Sequence, residues 1–340
     1  MIATADTRSE GRWSARHLAP VFCLYLLAPL VGEFLLGNIP ISSLALLLLL
    51  APLYGGGAVL IRETARRWGL GWPSIVVFCL VYGLIEEAFV TQSLFNPNFV
   101  GQRLLDYGYI DGMGISSWWT TYVLSLHALW STAVPIALVE SFAPRTRTTP
   151  WLGTLGLMIV AFLYVAVCVF LFFFQSQELY IASTWQYLGG AIACVLLSAL
   201  AFALARVGDT LPRSSQPAPA PRVVGASSFV IGSAFMILAA FVHSTIPAAL
   251  NVAGLLALLV FGGGLVWRWS RQTGWSALHQ FAVAAGLLLV YVWFGFVQVP
   301  SIGGTNPSID LIGNVVFACG ALALVALGVR RVRAEDRATA

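Results

Sequence analysis

Glu86 and Glu87 stand side by side inside a long apolar stretch, and His127 lies inside the next one. Carboxyl and imidazole groups exchange protons near neutrality, so a pair of acids with one imidazole can serve acid/base catalysis, proton movement or metal binding. An acidic residue at the centre of a membrane helix costs about 2.5–3.5 kcal/mol on insertion scales, which makes such a position a functional candidate by default. A low dielectric favours the neutral carboxyl, and two close carboxyls discourage double ionisation. At least one of the pair is therefore expected to hold a proton near neutrality, unless His127 or a metal compensates. The plainer alternative is a neutral Glu hydrogen-bonded to a backbone carbonyl or a hydroxyl. Consecutive helical residues differ in direction by about 100°, so Glu86 and Glu87 are expected not to share one contact direction.

Other polar residues could join them. His127 sits in Ser-Leu-His-Ala-Leu-Trp-Ser, with Ser131 one turn on and Pro135 another turn beyond, which places a polar stripe and a bend on one face. His243 and Asn251 flank a short turn between two later apolar segments and could cap the same hollow, as could Glu33 near the end of the first segment. The everyday role of each is interfacial, because polar groups near helix ends reach water easily. The connection from Asn96 to Ser116 is long enough for a lid, or for a solvated connector with Arg103 paired to Asp106. Glu63, between Arg62 and Arg66–Arg67, reads as a tie for a helix end, and Glu140 belongs to the same boundary.

These groups need helices in a bilayer to position them. The 340-residue chain is 59% hydrophobic and 9% charged, with a mean hydropathy of +0.86. An ordinary soluble domain carries about 25% charged residues, so water is not this chain's main solvent. About twenty apolar residues cross a hydrocarbon core of roughly 30 Å. Ten such segments are predicted, over residues 18–37, 40–62, 73–95, 117–140, 151–174, 184–206, 227–244, 246–267, 276–299 and 309–329. Their length and all-round apolarity predict an all-α polytopic bundle rather than a barrel of alternating strands. The first segment does not read as a cleaved signal, since Glu33 and Asn38 lie where a small-residue site would fall.

The chain has eighteen arginines and no lysine. Seventeen, from Arg8, Arg12 and Arg16 to Arg337, fall in alternate gaps, and only Arg103 falls in the others. By the positive-inside rule, both termini are cytoplasmic and the protein sits in the cytoplasmic membrane. On that topology Glu86, Glu87 and His127 lie roughly 12–15 Å deep, tilted toward the outside. Arginine without lysine, with abundant Ala, Gly and Leu, fits a GC-rich bacterial genome. A Pro-rich interval over 207–226 divides a six-helix module (1–206), which holds the acids, from a four-helix module (227–340) with a basic tail.

Several classes are set aside. The dispersed arginines form no basic face for nucleic acid, and the five cysteines, all in apolar runs, suggest neither a disulfide framework nor a Cys-type zinc site. Neither a Walker loop, a dinucleotide fingerprint, a haem Cys motif nor HExxH occurs, so the sequence names no cofactor.

Gly-Leu-Ile-Glu86-Glu87-Ala-Phe-Val, followed one helix later by His127, resembles the start of the CAAX-protease and bacteriocin-processing family of intramembrane proteases. That family's signature is Glu-Glu-x-x-x-Arg, then Phe-x-x-x-His, then His-x-x-x-Asn. The likeness covers residues 73–135. Thr91 stands at the Arg position and Val123 at the Phe position, while His243 is followed by Pro247, with Asn251 a turn beyond. The resemblance implies that Glu86 or Glu87 activates a water, and that His127, with His243, orients it or stabilises an oxyanion during proteolysis in a membrane cavity. The run from Arg62-Glu63 through Gly71-Trp72-Pro73 and Glu86-Glu87 to Thr91-Gln-Ser-Leu-Phe-Asn-Pro97 is also similar to uncharacterised multi-pass bacterial membrane proteins.

Three functions follow as expectations. An intramembrane hydrolase would act on a membrane-embedded peptide or small molecule and needs the acids and His127 within hydrogen-bond or metal-ligand reach. A proton-coupled transporter would use the same Glu as its titrating site and needs broken helices, for which Gly55–Gly57 and Gly262–Gly264 are candidates, although close packing accounts for both. A scaffold would use the carboxyls only to bind a partner helix. The lipid bilayer is a partner in every case.

Overall fold

The structure is a computed structural model, and it describes residues 15–176, 180–208, 213–303 and 306–339. The protein is 74% helical, and the described residues contain ten helices long and apolar enough to cross a membrane. These are α1 (Leu18–Leu35), α2 (Ile41–Arg67), α3 (Trp72–Val90), α4 (Ser117–Phe142) and α5 (Thr154–Phe174). They continue with α6 (Thr184–Ala205), α7 (Pro221–Val242), α8 (Ala248–Ser270), α9 (Ala277–Phe294) and α10 (Pro307–Glu335). The only strands among the described residues are short pairs that clip connections, such as Tyr109–Ile110 against Ile115–Ser116.

Five boundaries, the ends of α2, α3, α9 and α10 and the start of α7, differ from the sequence expectation by five or six residues, and two of them have a clear physical cause. α7 begins at Pro221 rather than 227, because a proline at the first helical position gives up an N–H that has no helical partner there. α3 ends at Val90 rather than near Phe95, since Gln92 takes a left-handed backbone (φ 58°) that no helix can continue. Arg8 and Arg12 lie outside the described residues, as do residues 209–212 of the Pro-rich interval.

α4 is the central element: 89% of the residues in its most apolar stretch are buried, whereas α5, α6 and α8 present mostly exposed apolar faces, including Phe162, Val195 and Val260. Ser116 caps α4 by accepting from the Trp119 N–H at 2.9 Å. α3 packs on α4 and α6, α1 on α2 and α4, and α9 on α7, α10 and α4. Small residues permit the closest approaches. A Cβ on Gly83 of α3 would stand 2.8 Å from the Cβ of His127, and one on Gly57 of α2 would run into the Tyr82 ring.

The C-terminal ends of α2 and α4 are locked by ion pairs. Arg62, fully buried, donates to Glu63 (2.8 Å), to Glu140 (3.1 Å) and to the carbonyls of Thr146 (2.8 Å) and Arg147 (3.0 Å), and it lies 3.5 Å over the Trp151 ring. Glu140 also accepts from Arg66 at 2.6 Å, while Glu63 accepts the backbone N–H groups of Trp151 and Leu152. Glu63 thus ties the helix end as its spacing suggested, and it holds the α4–α5 connection as well. On the opposite face Arg103 pairs with Asp106 in an exposed bridge.

Removing one member of a buried ionic network leaves its partners charged and uncompensated, at about 3–5 kcal/mol. Glu140→Ala is accordingly expected to lose that much stability, read as a lowered unfolding midpoint of the purified protein in detergent, whereas Asp106→Ala should leave the midpoint in place. A second pair of substitutions tests the packing. Gly83→Val should cost about 1–3 kcal/mol by overpacking against His127, while Gly320→Ala, where a Cβ meets nothing within 4 Å, should not lower the midpoint.

Candidate functional site

Each site-bearing helix departs from α geometry where its polar side chain leaves it. π-helical turns occupy Leu30–Leu35 (Glu33), Ala51–Gly55 (Tyr54), Glu86–Val90 (Glu86 and Glu87) and Leu126–Ala133 (His127). A π turn widens the helix, alters the direction of the side chains that follow, and occurs often at functional sites. Side-chain donors serve the backbone carbonyls in these turns. Thr132 donates to the His127 carbonyl at 2.6 Å, and Thr91 to the Glu86 carbonyl at 3.2 Å.

These five side chains converge in one buried hollow between α1, α2, α3 and α4, none more than 8% exposed. His127 lies between the two glutamates: Nε2 is 2.6 Å from Glu87 Oε1, and Nδ1 is 3.4 Å from Glu86 Oε2. The adjacent acids leave the helix in different directions and reach His127 at separate nitrogens. The imidazole offers a nitrogen on each of two edges, and the π turn beginning at Glu86 brings both carboxyls onto it.

The two glutamates differ in what else they touch. Glu87 Oε2 accepts from the Thr91 hydroxyl at 3.0 Å and from the Ser93 hydroxyl, and Ser93 itself accepts from Trp119 Nε1 at 3.0 Å. Glu87 is thus held on both oxygens, Oε1 against His127 Nε2 and Oε2 against the two hydroxyls. Glu86 Oε2 and His127 Nδ1, by contrast, have no hydrogen-bond partner among the described residues, and the Tyr82 hydroxyl neighbours Glu86 one turn back. One Glu is held on both oxygens, and the other has a buried oxygen without a partner there.

Glu33 completes the hollow rather than sitting at the interface. It accepts from Asn38 Nδ2 at 2.6 Å and from the Tyr54 hydroxyl, and it is within Coulombic reach of His127 and Glu87. The Tyr54 ring packs 5.7 Å from the His127 ring, and Tyr82 6.1 Å from it. The Gln92 turn returns the chain to the site after α3 ends. Gln92, 1% exposed, accepts from the Ala182 N–H (2.8 Å) and the Tyr187 hydroxyl (2.7 Å), which holds Ser93 against Glu87. Non-helical backbone at membrane depth is tolerated where protein buries it, as here.

His243 and Asn251 stand elsewhere. The His243 ring stacks on Trp118 at 4.7 Å, with Nδ1 3.1 Å from the Ala240 carbonyl. Asn251 donates to the Leu238 carbonyl at 2.9 Å. Both brace a fifth π turn, Leu238–Val242. Sequence reasoning did not single out Tyr54, Tyr82, Thr91 or Ser93 for the site. The one visible signal was spacing, since Tyr82 is four residues before Glu86 and Thr91 four after Glu87, hence on the same faces.

Ten apolar helices around a buried carboxylate–imidazole cluster define a multi-pass helical membrane protein whose ionisable groups are turned inward, away from lipid. The chain belongs to an uncharacterized membrane protein family, whose model matches residues 22–334. No curated protein and no solved structure matches it.

The separate standing of the two glutamates has a measurable consequence. Ser93→Ala removes one hydrogen bond to a charged acceptor, worth about 1.5–3 kcal/mol, and should lower the unfolding midpoint of wild type. The same change in a Glu87→Gln background should lower it by much less, because the carboxylate it serves is gone. Equal effects in the two backgrounds would mean that Ser93 does not act through Glu87.

Proposed function

We propose that the protein is an intramembrane hydrolase that cleaves an acyl bond, of the peptide or ester class, presented from the bilayer. The observation that carries this reading is the asymmetry of the two glutamates about His127. Glu87 is engaged on both oxygens and fixes the ring, while Glu86 Oε2 and His127 Nδ1 face each other at 3.4 Å, buried and without a partner among the described residues, with the Tyr82 hydroxyl beside Glu86. A base must stand within hydrogen-bond reach of the proton it takes, and a fixed donor must face the oxygen where charge develops. Glu86 fits the first role, taking a proton from water as the hydroxide attacks the carbonyl carbon. Tyr82 fits the second, donating to the carbonyl oxygen as it becomes an oxyanion. His127 carries the proton to the leaving group. Glu87 is a positioning residue.

The resemblance to the CAAX-protease and bacteriocin-processing family supports the same assignment of the Glu pair and His127, and Thr91, at that family's Arg position, here donates to Glu87. The stacking of His243 on Trp118 leaves it outside our mechanism. With both termini cytoplasmic, the cluster would lie toward the outer half of the cytoplasmic membrane of a bacterial cell.

The test is hydrolysis by the full chain in proteoliposomes, assayed with quenched fluorogenic transmembrane peptides and long-chain fluorogenic esters. Glu86→Gln should lower turnover by about 10²–10⁴-fold, the usual worth of a general base, with wild-type elution in gel filtration. Glu87→Gln should lower it less. Equal turnover by wild type and Glu86→Gln refutes the proposal, and so does a substrate-driven proton flux that Glu86→Gln abolishes without any hydrolysis, which would make the protein a transporter.

A further inference from the structure

The contact between His127 Nδ1 and Glu86 Oε2 is unsatisfactory as a hydrogen bond and well dimensioned for something else. With Nε2 engaged by Glu87, a neutral ring protonated there presents a lone pair at Nδ1. Facing it at 3.4 Å is Glu86 Oε2, and both atoms are buried without a partner among the described residues. A proton on either atom would bridge them poorly, because N–H···O bonds cluster between 2.7 and 3.2 Å. A divalent ion fits better: two ligands each about 2.0–2.1 Å from a tetrahedral metal stand roughly 3.4 Å apart.

The surroundings have the form of a metal site. One donor atom from each of Glu86, Glu87 and His127 lies within 4.8 Å of the others. A metal-ligating histidine almost always gives its second ring N–H to a carboxylate that fixes the ring and raises its basicity. Glu87 is placed for that role, and it is anchored in turn by Thr91 and Ser93. The Tyr82 hydroxyl, one turn before Glu86, is a further buried oxygen beside it. Each buried unsatisfied polar group costs about 1–3 kcal/mol, and folded proteins hold only about 5–15 kcal/mol in all. An ion shared by Glu86 Oε2 and His127 Nδ1 would serve both at once.

We propose that Glu86 and His127 bind a divalent transition-metal ion of the zinc class through Oε2 and Nδ1, with Glu87 as the outer carboxylate on Nε2 and with Tyr82 or water at the remaining positions. Mixed imidazole and carboxylate donors suit Zn²⁺ rather than Mg²⁺ or Ca²⁺, which favour all-oxygen shells. The inference goes beyond hydrolysis, since it concerns what the hollow binds at rest. Should hydrolysis hold as well, the ion would lower the proton affinity of a bound water and take over the activation otherwise given to Glu86.

The full chain, purified in detergent and stripped with chelator, is titrated with Co²⁺, whose visible d–d bands report a protein-bound ion, and then with Zn²⁺. The expected result is one Co²⁺ per chain, displaced by Zn²⁺. Glu86→Gln and His127→Gln should abolish the bands, whereas Glu87→Gln should weaken binding by about 10–100-fold, as an outer-shell partner does. Each variant is accepted only if it elutes as wild type. Bands in wild type no stronger than in His127→Gln, or Glu86→Gln binding as wild type does, overturn the site. No substrate is involved, so the two readings fail separately. Absent binding with Glu86-dependent hydrolysis retained would remove the ion and leave the hydrolase, while bound Co²⁺ without hydrolysis would support the ion and remove the hydrolase.

Discussion

A charged side chain inside a membrane protein must be turned away from lipid and matched by partners, and the 2.6 Å contact between Glu87 and His127 is where this chain meets that demand. The contact requires α3 and α4 to approach at Gly83, where any larger residue would press on His127. It requires α3 to stop at Val90, so that Thr91 and Ser93 can turn back to Glu87. That turn in turn depends on Gln92, whose side chain is held by the Ala182 N–H and the Tyr187 hydroxyl at the start of α6. Parts of α3, α4, α6 and the 91–96 turn are thus conditions of a single hydrogen bond.

The π turns show how a bundle of apolar helices accommodates such a cluster. A regular helix repeats every 3.6 residues and presents one narrow stripe to its neighbours, so polar groups from four helices would have to match in both height and direction. An inserted residue relaxes that condition by resetting the direction locally. It also disturbs the backbone hydrogen-bond ladder, and in a bilayer the protein itself must supply the missing donors. Thr132, Thr91, Trp118 and Asn251 each donate to a carbonyl within a π turn. The hydroxyls that look like idle polar residues in apolar helices are what makes the irregular turns tolerable.

How much of this could be read beforehand follows from the same physics. Segment length and apolarity are bulk properties of a helix crossing hydrocarbon, so all ten spans were legible, as was the candidacy of Glu86, Glu87 and His127 as ionisable groups at depth. Glu33 stayed ambiguous between the cluster and the interface, because along the sequence it lies close to a helix end. The π turn at Leu30–Leu35 and the partners Tyr54 and Asn38 draw it inward instead. Tyr54 and Tyr82 carry no signal of their own, since a tyrosine in an apolar run serves equally as an interfacial anchor. The end of α3 was hidden because Val90, Leu94 and Phe95 continue the apolar pattern, and only the backbone of Gln92 breaks the helix.

An apolar space in the bundle is separate from this cluster, which bears on what the hollow can admit. A cavity of about 560 Å³ lies between α3, α4, α7, α8 and α9, lined by Trp72, Leu80, Ala128, Leu129, Ala133 and Leu287 among others. On α4 those small and aliphatic residues occupy the side turned to α7–α9, whereas His127 meets α3, and Ser131 meets Gly32 of α1. α4 therefore stands as a wall between an apolar space and a polar one. A hydrocarbon chain in the cavity touches Ala128 and Leu129 without reaching His127, and it cannot displace whatever satisfies Glu86 and Nδ1. On the other side of the wall, the groups next to the cluster are the buried polar residues of the 91–96 turn, Gln92, Ser93 and Asn96. Polar atoms there offer a hydrated or hydrogen-bonding species the partners that lipid would lack. The separation thus favours a small polar reactant at Glu86 over an acyl tail.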